Sequence, residues 1–260
     1  MENDLLLDNF KRYFRVIYAN NQQLRKHVYK IRYDVFCDEL KLEENCPQDV
    51  EKDEFDAYAH HFLLQHKPSG EYAGTARFVL PSNQAKRSLL PFEKYCSNAI
   101  DKRIINPALL LQGSYGEVSR LAVPARFRKR SGEQGKPYAI NDDEKKSTKT
   151  EDDKRHFPHI SVGLYLACAA FFVHEKIDYA FVMVEPRLAR CIARLGIRFD
   201  QAGKITDYHG QRAPFYISQA MLATHLKPAV KPLFEYIKKE LAEQLDSNEQ
   251  ALKKNHAQLD

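Results

Sequence analysis

Apolar residues recur at two periods along the chain and sort it into helices and strands. Over residues 5–45 the spacing is helical: Leu5, Leu6, Phe10, Tyr13 and Phe14 recur on one face, and Val28, Ile31, Val35 and Phe36 on another. The pattern breaks to loop between Asn45-Cys46-Pro47 and Asp56. Ala59 to His66 reads as a strand stopped by Pro68-Ser69-Gly70, and Tyr72 to Leu80 as a second strand stopped by Pro81. Two strands about a turn of Pro and Gly predict a hairpin. Residues 82–112 read as irregular or weakly helical, anchored by Leu89-Leu90-Pro91-Phe92. Glu117 to Val123 is a third strand, closed by Pro124.

The stretch over about 127–157 holds runs such as Asp142-Asp143-Glu144-Lys145-Lys146 and few core-forming residues, which predicts a mobile loop or insertion. Ile160 to Glu175 is a strongly apolar helix with Leu164, Ala167, Cys168, Phe171 and Phe172 on its buried face. Tyr179 to Val184 is continuously apolar, the pattern of a buried central strand. Pro186 opens a short helix that Leu195-Gly196 stops. Arg212 to Ile217 is the last strand candidate. From Pro232 an amphipathic helix carrying Leu233, Tyr236, Ile237 and Leu241 fades into a polar tail. No internal repeat is visible. The order predicts an α/β domain of the α+β kind, a central mixed sheet flanked by helices, over residues 1–225, with a C-terminal helix and tail over 226–260.

Composition narrows the class. A chain of 260 residues with 43% hydrophobic content suits one sizeable α/β domain or a domain with appendages. No stretch approaches the roughly 20 apolar residues that span a bilayer, so no membrane span is expected. Met1-Glu2-Asn3-Asp4 lacks a basic segment followed by an apolar run, so no secretory signal is expected and the setting reads as cytoplasmic. Cys37, Cys46, Cys96, Cys168 and Cys191 are odd in number and contain no Cys-x-x-Cys pair, which predicts reduced thiols rather than a zinc site or a disulfide framework. Cys168 and Cys191 read as packed small hydrophobes. His60 and His61 are adjacent on a strand and so point to opposite faces, a structural arrangement and not a metal pair. The net charge of +5 is modest and its signs are mixed. Arg126, Arg128, Lys129 and Arg130 form one cluster that suits a phosphate or an acidic partner, or equally a solvated loop. One short cluster, rather than a stripe interleaved with exposed aromatics, argues against nucleic acid.

The chemistry lies in four segments. Glu51, Asp53, Glu54 and Asp56 fall within six residues. Arg32-Tyr33-Asp34-Val35-Phe36 lies upstream, Gly74-Thr75-Ala76-Arg77-Phe78 downstream, and Glu117-Val118-Ser119-Arg120 beyond. Charges this dense among apolar elements must pair if they are buried. They make either a rigid polar scaffold or a site for a charged substrate.

These segments resemble those of the acyl-homoserine lactone synthases and N-acyl amino acid synthases. The likeness is greatest to the acyltransferases associated with PEP-CTERM/exosortase systems of Gram-negative bacteria. The resemblance runs from about Val28 to Ile217. It rests on Arg32 with Phe36, on Asp53-Glu54-Phe55-Asp56, on Arg77 in its Gly-x-x-Arg-Phe segment, and on Glu117-Val118-Ser119-Arg120, in that order. Leu42 stands where the synthases usually carry a tryptophan that shapes the amine pocket. Arg126-Phe127-Arg128-Lys129-Arg130, with one nearby glycine at Gly132, replaces a glycine-rich pyrophosphate loop, which favours a long acyl donor over acetyl-CoA.

The resemblance implies a GNAT (N-acetyltransferase) fold and an acyltransferase moving a fatty acyl group from a thioester to a small amine, with an amino acid as the expected acceptor. The donor would be acyl carrier protein or acyl-CoA, used as a substrate, with no tightly bound cofactor. Such a reaction must deprotonate the amine, polarise the carbonyl and hold the two together. Glu117 is the implied base, through a water, with Ser119 and Arg120 beside it. Glu117 and Arg120 are three residues apart and share a site only on a bulged strand. The backbone of Leu121, Ala122 and Val123 would hold the donor arm and polarise the thioester, and Arg126, Arg128, Lys129 and Arg130 would meet donor phosphate or a carrier's acidic face. Arg32, Asp53, Asp56 and Arg77 form either a buried network closing the N-terminal segment over the cleft or direct contacts to the amine substrate. Phe36 packs on the acceptor side or in the core. An acyl-homoserine lactone synthase using S-adenosylmethionine and a non-catalytic carrier-binding module are the competing readings.

Overall fold

The computed structural model describes residues 2–44, 46–81, 88–128, 157–194 and 196–256. Their strands are β1 (Phe14–Tyr18), β2 (Ala59–His66), β3 (Tyr72–Val79), β4 (Tyr115–Ala122), β5 (Tyr179–Val184), β6 (Asp200–Gln201), β7 (Thr206–Asp207) and β8 (Gln211–Ser218). They form one mixed sheet in the order β1-β2-β3-β4-β5-β8-β6, with β7 paired to β8. Neighbours are antiparallel from β1 to β4, β4 and β5 are parallel, and β5 and β8 are antiparallel again. The helices are α1 (Glu2–Tyr13), α2 (Gln22–Arg32), α3 (Pro91–Cys96), α4 (Phe157–His174), α5 (Pro186–Ala193), α6 (Gln219–His225) and α7 (Lys231–His256). A π-helical turn, Tyr33–Glu39, continues α2.

The expected mixed sheet flanked by helices is present. On one face α4 packs apolar residues against Phe62, Leu64, Phe78, Val182 and Ile217. Helix α4 is apolar all round because it is buried all round. On the other face Val28, Ile31 and Val35 of the α2 segment cover Leu63 and Ala122. Beside them Phe55, Val79, Leu90, Phe92 and Phe181 make a second cluster. Among the described residues no helix is long and apolar enough to cross a membrane.

Three expectations need correction. The helical reading of residues 5–45 conceals β1. Phe14, Val16 and Tyr18 are buried while Arg15 is exposed, the alternation of a strand, and Val16 and Tyr18 register against Leu64 and Phe62. This edge strand is covered by α7: the Tyr18 N–H donates to Gln244 Oε1 at 2.9 Å, and Gln244 Nε2 donates to the Val16 carbonyl at 3.0 Å. In the 89–92 anchor, Leu90 and Phe92 are buried but Leu89 is 46% exposed. Cys37 and Cys46, read as thiols, are joined in a disulfide, whereas Cys96, Cys168 and Cys191 are free and buried. Nothing in a nine-residue spacing signals that pairing; the π-helical turn brings the two together. Of the charged stretch over about 127–157, residues 129–156 lie outside the described residues.

Candidate active site

Strands β4 and β5 pair from Tyr115–Tyr179 to Val118–Val182 and then part. Strand β4 continues to Ala122 and β5 to Val184. The gap between them is a cleft lined by Ser119, Arg120 and Leu121 on one side and Met183, Val184 and Glu185 on the other. Strand β4 also bulges here. Thr75 and Arg77 of β3 stand opposite Ala122 and Ser119, so Ala76 alone faces the two residues Arg120 and Leu121. Ser119 and Ala122 are three apart yet lie on one face, and Arg120 takes a left-handed backbone with φ 52°. The bulge carries Arg120 onto the same side as Arg77. Gly74 allows the close approach: a Cβ there would sit 2.9 Å from the Ala122 carbonyl oxygen.

The acidic segment is shaped locally before it meets the arginines. Asp53 caps the turn Glu54–Tyr58, accepting from Phe55 N–H at 3.0 Å, while the Asp53 N–H donates to Asp56 Oδ2 at 2.8 Å. Arg32 Nη1 donates to Asp56 Oδ1 at 2.7 Å, and its Nε bonds Glu51. Arg77 Nη1 donates to Asp53 at 2.6 Å and Asp56 at 2.8 Å, and its Nε to Ser119 Oγ at 3.1 Å. Arg120 reaches Glu43 at 2.9 Å, Glu51 at 3.2 Å and Asp53 at 3.3 Å, and lies over the Phe36 ring at 5.7 Å. Arg32, Arg77, Glu51 and Asp56 are all buried. Burial alone would raise the Asp56 pKa, but Arg32 and Arg77 outweigh it and hold the carboxyl well below the usual range.

His61 stands 3.6 Å from Asp56, and its pKa is pushed down to about 3 by burial, so it is neutral. His60 lies on the opposite face, 2.8 Å from the Tyr18 hydroxyl. Among the described residues no group of His, Cys, Asp and Glu could hold a metal ion.

Glu117 is buried, does not itself line the cleft that its neighbours Val118 and Ser119 line, and accepts from the Phe92 N–H at 2.8 Å. Burial drives its pKa up to about 8, against the pull of that N–H and of the Arg77 and Arg120 charges. A carboxyl poised near neutrality can take or give a proton at physiological pH.

The expected donor residues separate. Leu121 lines the cleft, while Ala122 and Val123 are buried in the packing on either face of the sheet. Arg126 is half-exposed, 3.4 Å from Glu71, whereas Arg128 is turned inward onto Glu39. Lys129 and Arg130 lie outside the described residues. Polar and aromatic cleft residues not read as site residues from the sequence include Glu43, Tyr165, Glu185, His209 and Arg212. His209 and Gly210 form the tip of the β7–β8 hairpin at φ 51° and 101°, and His209 Nε2 comes within 3.9 Å of Glu43. Asp207-Tyr208-His209-Gly210 is a turn signal that marks a hairpin but not its reach into the cleft.

Behind the cleft lies an almost wholly apolar pocket lined by Phe78, Cys168, Ala169, Phe172, Phe199 and Leu222. Val118, Tyr165 and Val182 line both spaces, so the pocket adjoins the cleft.

Residues 31–135 match the family model described as acetyltransferase (GNAT) domain. No curated protein sequence matches the chain. Solved structures do. The CoA-dependent acyl-homoserine lactone synthase BjaI, solved with SAM and isopentyl-CoA, aligns at TM-score 0.54 and 14% identity over 82% of this chain and 86% of its own. The AHL synthase LasI aligns at 0.53 and 14%, over 83% and 98%. FeeM, an N-acyl amino acid synthase from uncultured soil microbes, aligns at 0.51 and 15%, over 83% and 96%. At these identities the likeness is one of fold. The chain has the GNAT fold, and its residues 31–135 match the acetyltransferase domain of that family.

Proposed function

We propose that this protein is an N-acyltransferase that moves a fatty acyl group from a thioester donor, acyl carrier protein or acyl-CoA, to the amine of a small acceptor, an amino acid. The observation that carries the reading is a pair of adjoining spaces: a cleft carrying Glu43, Ser119, Arg120, His209 and Arg212 shares Val118, Tyr165 and Val182 with an apolar pocket, and Glu117 directly precedes Val118 on β4. The pocket suits an acyl chain and the cleft suits an amine.

In this reading the amine enters between Phe36, Leu42 and the β7–β8 hairpin. Glu117 takes its proton through a water. The nitrogen attacks the thioester carbon, and backbone N–H groups of Leu121 to Val123 carry the negative charge that develops on oxygen. The amide forms as the carbon–sulfur bond breaks, and the sulfur leaves as a thiol with the proton. Ser119 and Arg120 position the substrates. Arg32, Arg77, Asp53 and Asp56 hold the N-terminal segment over the cleft. Arg126, with Lys129 and Arg130, is assigned to the donor's phosphate or the carrier protein, whereas Arg128, turned inward onto Glu39, drops out of that set. A cytoplasmic setting fits, since acyl thioesters are made there. The four ordered motifs support a place among the PEP-CTERM/exosortase-associated acyltransferases.

A second reading, an acyl-homoserine lactone synthase using S-adenosylmethionine, draws on BjaI and LasI. Leu42 disfavours it: it lines the cleft at the place where those synthases usually carry tryptophan. Lipid extracts of cells expressing the wild type and Glu117→Ala, compared by mass spectrometry, test the choice. A new N-acyl amino acid made by the wild type alone supports the proposal. An acylated lactone supports the second reading. Binding of acyl carrier without thioester turnover leaves a non-catalytic module.

A further inference from the structure

We propose that Cys37 and Cys46 are a reversible thiol–disulfide site that sets how tightly the cleft holds its acceptor. The inference rests on the acceptor reading above. The disulfide closes a strap whose residues reach both sides of the cleft. Glu39 accepts from the Ala125 N–H at 2.9 Å and pairs with Arg128, just past β4. Leu42 lines the cleft wall. Glu43 binds Arg120 at 2.9 Å and comes within 3.9 Å of His209. The N–H groups of Leu42 and Glu43 both turn back to the Phe36 carbonyl, at 2.7 and 3.2 Å, so the strap is anchored at the residue beneath Arg120.

The chemistry is selective for this pair. Cys96, Cys168 and Cys191 are buried, whereas Cys37 and Cys46 are only half-buried. A dithiol reductant opens the bond by exchange: it gives up two electrons and two protons, becomes a disulfide, and leaves two protein thiols. A small disulfide such as oxidised glutathione closes it by the reverse exchange and is released as two thiols. In a cytoplasmic setting a disulfide is characteristically transient and redox-sensing rather than a permanent staple. Closed, the bridge holds Glu43 on Arg120 and fixes the acceptor wall. Open, the strap is released while Glu117 and the apolar pocket stay in place.

The full chain and its Cys37→Ser/Cys46→Ser double variant are equilibrated with dithiothreitol or oxidised glutathione. Native alkylation with iodoacetamide is read by peptide mass spectrometry, alongside hydrogen exchange over residues 38–44 and the acceptor KM. Reduction is expected to expose Cys37 and Cys46 to alkylation, to speed exchange over 38–44, and to raise the acceptor KM about two- to fivefold, the worth of one partly exposed ion pair. The double variant is expected to sit at the reduced value whatever the redox buffer. Alkylation of both cysteines in the glutathione-oxidised protein overturns the proposal. So does a bridge whose opening changes neither exchange nor KM. If no acyl transfer occurs in any state, the functional reading fails, and alkylation with exchange still decides the redox site.

Discussion

Arg32 and Arg77 donate to the same oxygen, Asp56 Oδ1, from 2.7 and 2.8 Å. They come from distant elements, α2 and β3, so one carboxylate joins the N-terminal segment to the middle of the sheet. Asp56→Asn leaves two buried guanidinium groups short of charge, and its expected cost is about 3–5 kcal/mol. Urea unfolding measures it. The pH dependence has a definite sign. The folded pKa of Asp56 is depressed, so its stabilisation is full above the ordinary aspartate pKa and is lost as pH falls toward the lower folded value. The wild type should lose stability through that acidic window, and Asp56→Asn should lack this component.

Glu117 shows the opposite sign. Burial raises its pKa to about 8, so the folded state resists ionising it. Stability is greatest below the unfolded pKa and falls as pH rises from there toward about 8. Glu117→Gln keeps an oxygen for the Phe92 N–H and removes the titration. The variant should be more stable than the wild type at alkaline pH and indistinguishable near pH 4. It should also lose acyl transfer, and the wild-type kcat/KM should climb through the same range as the base ionises. A variant that retains turnover would remove Glu117 from the chemistry.

Much of this was legible before the structure. The β2–β3 hairpin, β5 and α4 announce themselves because turn residues, a continuous apolar run and a helical period each follow from one element's own burial. Strand β1 did not, because Phe14 ends an apolar helix face and begins a strand at the same residue. The acidic and basic segments were visible as charges that must pair. Arg32, Arg77, Asp53 and Asp56 were read as one possible network and do pair, but Glu43 was not foreseen: it meets Arg120 across 77 residues, a contact set by tertiary folding. The bulge at Arg120 was legible as a condition, since Glu117 and Arg120 cannot otherwise share a face. The reach of His209 into the cleft depends on how β8 sits against β5, which no local pattern records.

Arg120 tests the bulge itself. Its φ of 52° lies in the region that costs a side chain roughly 1–2 kcal/mol and glycine almost nothing. Arg120→Ala and Arg120→Gly both remove the contacts to Glu43, Glu51 and Asp53. They differ in backbone strain, so the glycine variant should be the more stable by about 1 kcal/mol. Glycine elsewhere in a strand costs stability relative to alanine. Thermal unfolding of the pair decides it, and an alanine variant as stable as the glycine one would mean that β4 is not bulged in this way.

The apolar pocket makes the last prediction. Ala169 lines it from α4, beside Cys168 and Phe172, away from Glu117 and the ionic network. Ala169→Phe places a ring where the proposed acyl chain would run. Long chains are excluded first, because each methylene denied burial forfeits about 0.8 kcal/mol. A series of acyl thioesters of increasing length should therefore show an optimum shifted to shorter chains. The acceptor KM should stay as in the wild type, since the amine enters from the cleft. An unchanged length profile in a folded Ala169→Phe protein would place the acyl chain outside this pocket and leave the cleft to bind the donor by its thioester end alone.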